Sequence, residues 1–141
     1  MNAYSVLKEK HQKEVNTFPL KFAFSNKQFE EAMKEWGLQP TDTDKIYKFG
    51  NTGCFYLRTD ADRLHEMFDR HDKEMKEAIA ADATGEGFIL DMFSYELSNH
   101  EYCVTYNDTD TLDALDLTDE DVLKDTRLLH GLKLAKKRQF D

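Results

Sequence analysis

Between Asp60 and Tyr106 two apolar stripes flank a glycine break, and this arrangement limits the folds open to the chain. Leu64, Phe68, His71, Met75 and Ile79 recur at steps of three and four, the spacing of one helix face. A long helix is therefore expected from about Asp60, capped by Thr59 or Asp60. Gly85 and Gly87 interrupt it, and Phe88 to Leu97 begins a second helical segment. The chain reverses at Ser98-Asn99-His100. Tyr102 to Tyr106, with its aromatic and β-branched side chains, is expected to be extended.

The flanking regions fit around this centre. Residues 3 to 16 place Tyr4, Leu7, His11 and Val15 on one helical row that Pro19 ends. Leu20 to Phe24 alternates around Phe22 and Phe24, as a short strand does. Ser25 with Gln28 is a capping-box pattern opening a helix that carries Phe29, Met33 and Trp36, and Gly37 suits its left-handed end. Ile46 to Phe49 and Cys54 to Leu57 surround Gly50-Asn51-Thr52-Gly53, the spacing of a β-hairpin. Asp110 and Thr118 can each cap a short helix, and a basic helix is expected from Arg127.

Four short strands set among helices, without regular strand–helix alternation, predict an α+β fold. The expected form is a small, mainly antiparallel sheet of about four short strands covered by helices. The alternative is a mainly α domain with one β-hairpin. At 141 residues, with 40% hydrophobic and 12% aromatic side chains, the chain is expected to form a single compact domain over 1–141.

The formal charge is −9, from 28 acids against 19 bases. Such a surface is repelled by phosphate backbones and anionic lipid, so neither direct nucleic-acid binding nor membrane binding is expected. A partner with a basic surface is favoured instead. Cys54 and Cys103 make neither a disulfide framework nor a zinc knuckle. The first residues hold no apolar signal segment, and no run approaches the ~18 apolar residues of a membrane span, so a cytoplasmic location is expected.

Few residues suggest chemistry. His71 falls within an apolar row, and Glu96 shares a face with Ile89, Met92 and Phe93. If these faces pack, the two would form a buried imidazole–carboxylate pair, the geometry of a catalytic base and equally of a structural hydrogen bond. Glu96 and His100 are four apart, so His71, Glu96 and His100 are the candidate side chains for a metal-assisted hydrolase. No HExxH motif, phosphate-binding glycine loop or nucleophile elbow accompanies them, and no cofactor is expected. Asp108 and Asp110 follow a β-prone run, as in a phosphatase nucleophile loop, but helix capping explains them more simply.

Phe18 to Glu31, Leu64 to Glu74, Tyr95 to Tyr102, Thr109 to Leu117 and Leu128 to Leu132 together resemble an uncharacterised family. Its members are small acidic proteins carried by phages, plasmids and conjugative elements of Gram-positive bacteria. The resemblance implies a mobile-element accessory protein and brings no functional residues with it. Read with the charge, it points to a non-enzymatic protein-binding module, in one form an acidic inhibitor of a host CRISPR-type defence nuclease. Residues 108 to 121 hold seven acids and no base. Asp108, Asp110, Asp113, Asp116, Asp119, Glu120 and Asp121 are therefore the expected partner-binding patch. A structural protein forming a homo-oligomer is a further alternative.

Overall fold

Local chemistry decides where each element starts and stops. In the computed structural model, which describes residues 1–141, the helices are α1 (Ala3–Thr17), α2 (Asn26–Glu35), α3 (Ala61–Ala81), α4 (Phe88–Asn99), α5 (Tyr102–Thr105), α6 (Thr109–Ala114), α7 (Asp119–Lys124) and α8 (Thr126–Arg138). The strands are β1 (Lys21–Phe22), β2 (Ile46–Lys48) and β3 (Cys54–Leu57). The fold is α+β, as expected, with an antiparallel sheet of three short strands in the order β1-β3-β2.

Several caps follow the sequence reading. Ser25 Oγ accepts from Gln28 N at 3.2 Å, and Gln28 Oε1 reaches back to Phe24 N, one residue before the cap. Gly37 adopts φ +72° just beyond α2, and Leu38 N returns to Met33 O, closing the helix end. Thr118 and Asp121 form a full capping box on α7. Asp110, by contrast, lies in the first turn of α6, and Asp108 occupies the cap position without a side-chain bond.

The expected fourth strand does not form. Tyr102–Thr105 is a single helical turn between Glu101 and Tyr106, both with left-handed backbone at φ 53° and 54°. Its backbone bonds are local: Val104 N and Thr105 N donate to Glu101 O, and Tyr106 N donates to Tyr102 O. Propensity scales describe how side chains suit a pleated surface, and here a one-turn ladder satisfies the backbone instead.

The chain divides into two compact units, one comprising Met1–His11 with Lys73–Asp141, the other Gln12–Asp72. In the unit of residues 12–72, one sheet cluster joins Ile46 and Phe55 to Met33, Phe29 and Trp36 of α2. A separate cluster joins Tyr56 to Leu64, Met67, Phe18 and Phe68. Strand alternation explains this division, since Phe55 and Tyr56 are neighbours and point to opposite faces.

The other unit is built on α4, whose Ile89, Met92, Phe93 and Leu97 are no more than 1% exposed. Burying each such side chain contributes about 1.5–3 kcal/mol. Leu128, Leu132 and Ala135 of α8, Leu112 of α6, Val122 of α7 and Tyr4 of α1 complete the cluster.

The glycine break has its own anchor. The Asp82 carboxylate accepts from the backbone N–H groups of Thr84, Gly85, Gly87 and Ile89 at 2.9–3.2 Å. Arg127 donates to the carbonyls of Ile79 and Asp82, tying α8 to the end of α3. Gly85 has φ +89°, and a β-carbon there would stand 2.3 Å from Arg127 O. Only glycine fits.

Candidate functional site

The side chains with chemical potential fall in three places. The first surrounds Glu96 on α4, which is 1% exposed. Its Oε1 accepts from Tyr4 Oη and from Lys8 Nζ, each at 2.8 Å. Lys8 Nζ also lies over the Tyr95 ring at 5.1 Å from its centroid. Burial, and then the neighbouring Glu96 carboxylate, push the Tyr4 phenol well above its ordinary pKa. His100 Nδ1 donates to Glu96 O at 2.8 Å and stands 3.6 Å from Glu96 Oε2. Oε2 itself is buried without a hydrogen-bond partner.

A general base must come within hydrogen-bond reach of its substrate. Glu96 is enclosed and one of its oxygens is already occupied twice, so its geometry is that of an anchor. Through Tyr4 and Lys8 it holds the first two turns of α1. Asn2 and the Ala3 N–H add to this by donating to Asp91.

The second place lies within residues 12–72. His71 is buried as its apolar row implies, and its Nε2 meets Glu14 Oε1 at 2.7 Å. Arg70 bonds the other oxygen of the same carboxylate. Hydrogen bonds from Arg70 and then from His71 hold the Glu14 carboxyl at about 2, far below its usual value. Within its own unit His71 has Glu14 as a partner, and within the other unit Glu96 has Tyr4 and Lys8. No group of three or more His, Cys, Asp or Glu side chains is gathered in a way that could hold a metal ion.

Sequence reasoning missed Tyr4, Lys8 and Glu14. Tyr4 and Lys8 are one helical turn apart on α1, and that spacing was the available signal that both aim at one acceptor.

The third place is the acidic stretch on α6, α7 and the turns around them. Asp110, Asp113, Asp116, Asp119, Glu120 and Asp121 are exposed. Asp108 is partly buried and pairs with Lys136 at 2.7 Å. Asp121 is used by the α7 capping box, and Glu120 pairs with Lys124 at 2.6 Å. Asp110, Asp113, Asp116 and Asp119 remain exposed with no ion pair. Thr111 and Leu112, buried beside Glu96 and the core, fix the helix that presents the first two of these.

A cavity of about 680 Å³ in residues 23–55 is lined by Phe24, Phe29, Thr43, Asn51 and Phe55, with Lys48 as its charged wall. It contains no acid–base pair.

Fold and surface together define a small α+β protein with buried or half-buried carboxylate anchors and an exposed acidic stretch. The chain belongs to the family of unknown function DUF7659, whose profile matches residues 3–138. No curated protein and no solved structure matches it. No helix is long and apolar enough to cross a membrane.

Proposed function

We propose that this protein is a non-enzymatic binding module, an accessory protein of a mobile element, that docks on a basic surface of another protein. The observation that carries this reading is the row of exposed carboxylates without cation partners at Asp110, Asp113, Asp116 and Asp119. They add to a net charge of −9, so the field around the stretch is attractive to cations over roughly a Debye length, about 10 Å at 0.1 M salt. A groove built to hold a nucleic-acid backbone is lined by lysine and arginine, and an acidic face can occupy it in place of phosphates. A host defence nuclease of the CRISPR type has such a groove and fits the mobile-element context.

The test compares affinity capture from host extract by the wild-type protein with capture by Asp110→Asn/Asp113→Asn/Asp116→Asn/Asp119→Asn/Glu120→Gln. Asp108 and Asp121 are left intact because they pair with Lys136 and cap α7. The expected result is a partner retained by the wild type at low salt and lost by the variant. A partner retained equally by both removes the acidic stretch from the function.

A further inference from the structure

We propose that the hollow between α2 and the sheet binds a small planar aromatic molecule carrying one carboxylate. It opens where the first turn of α2, the hairpin loop and the sheet face under α2 meet, and its volume is about 680 Å³. Small-molecule sites run from about 300 to 1,000 Å³ and set a few converging polar groups in a mainly apolar wall.

Local folding produces the hollow. α2 covers one face of the sheet, with Met33, Phe29 and Trp36 on Ile46 and Phe55. The helix begins at Asn26, after the Ser25 cap, and the part of that face beside the hairpin loop is left open. Lys48 stands opposite Phe55 in the β2–β3 register, so the two side chains share this face. Ala23 N donates to Gly53 O at 2.9 Å, which holds the end of β1 against the loop. The Phe24 ring rests on Gly53, where a β-carbon would come within 2.6 Å of it. It forms the rim and remains 76% exposed.

Rings and charge choose the ligand. Phe29 and Phe55 pack at 5.2 Å between centroids, tilted by 48°, and both line the hollow together with Phe24. Rings placed around one space favour a flat aromatic guest, which can meet them edge to face or offset. Lys48 is the one charged residue of the lining, and it has no acidic partner within the chain. The Asn26, Thr43 and Asn51 side chains also make no hydrogen bond within the chain, whereas the Ser25 hydroxyl is engaged in the α2 cap.

One lysine matches one negative charge. A phosphate monoester carries about −1.5 to −2 at pH 7. In a chain of net charge −9 the excess would go unmatched, because the hollow holds no second cation. A carboxylate is offered one cation by Lys48 and neutral donors by the Asn26 and Asn51 amides.

Binding is read on the purified chain, independently of docking on another protein. The probe is naphthoate, followed in amide correlation spectra of nitrogen-labelled protein. The expected result is saturable shifts confined to residues 23–29 and 43–55, with a dissociation constant of about 1 mM or tighter. Lys48→Gln and Phe24→Ala, both at exposed positions, should each weaken binding about tenfold, with the spectra otherwise unchanged. Lys34→Gln, an exposed change on α2 outside the lining, should leave it unaltered.

Neutral naphthalenemethanol and adenosine monophosphate separate the ring from the charge. Each should bind about tenfold more weakly than naphthoate, and either one binding as tightly overturns the inference. So do shifts that are absent with about 10 mM naphthoate, or binding indifferent to both Lys48→Gln and Phe24→Ala.

Discussion

Replacing Asp82 by asparagine should remove roughly a third to a half of the protein's stability. The side chain is 9% exposed, and each carboxylate oxygen serves two backbone donors. Oδ1 takes Thr84 N and Gly85 N, and Oδ2 takes Gly87 N and Ile89 N. Asparagine keeps one acceptor and turns an NH₂ group toward the other pair, so two backbone donors, one of them fully buried, lose their partner. Each hydrogen bond to a charged group contributes about 1.5–3 kcal/mol, which gives a loss of about 3–6 kcal/mol for two.

A domain of this size has on the order of 10 kcal/mol in total. With a urea slope of about 2 kcal/mol/M, the midpoint followed by far-ultraviolet circular dichroism should fall by about 2 M. Asp69→Asn, an exposed change on α3, is the control and should move it little. The sign of the pH effect follows from the same bonds. Burial works against the charge, but the backbone donors together hold the Asp82 carboxyl below its ordinary value. Its contribution is therefore present above the unfolded pKa and lost as pH falls through the folded one. An Asp82→Asn variant whose midpoint stays within about 0.3 M of the wild type would refute the claim that this carboxylate sets the α3–α4 turn.

Three further outcomes follow from named contacts. Gly131→Ala would place a β-carbon 2.6 Å from Ile89 Cγ2 and 2.7 Å from Gly85 O, so the usual helix gain should be reversed into a loss of about 2 kcal/mol, read by thermal melting. Tyr4→Phe removes a buried donor from Glu96 and should cost about 1–2 kcal/mol, with faster amide exchange in the first turns of α1; unchanged exchange would contradict the anchor role. Glu14 has its folded pKa depressed from 4.5 to about 2, so its contribution is complete above about pH 4.5 and disappears as pH falls through about 2. Glu14→Gln should accordingly flatten the acid limb of a dichroism titration over that window.

What the sequence disclosed was mostly local. The glycine break, the Ser25 and Thr118 caps and the hairpin around Gly50 to Gly53 each depend on residues within a few positions, and each is present. The Tyr102–Tyr106 segment departs from expectation because its side chains favour strands while its backbone bonds close within one turn. The partners of the candidate residues were not legible, for the opposite reason. His71 finds Glu14, 57 positions away, and Glu96 finds Tyr4 and Lys8, 92 and 88 positions away. Spacing along a chain gives no notice of such partners. The acidic stretch was legible as composition, but which carboxylates are committed to Lys136, to Lys124 or to a cap emerged only with the fold.

Salt dependence of the affinity for the captured partner tests most directly whether the exposed carboxylates make the contact. Binding that weakens steeply between about 50 and 300 mM salt, with a slope that drops when Asp110, Asp113, Asp116 and Asp119 become asparagine, is the predicted result. An affinity that is flat with salt and the same for both proteins would contradict it.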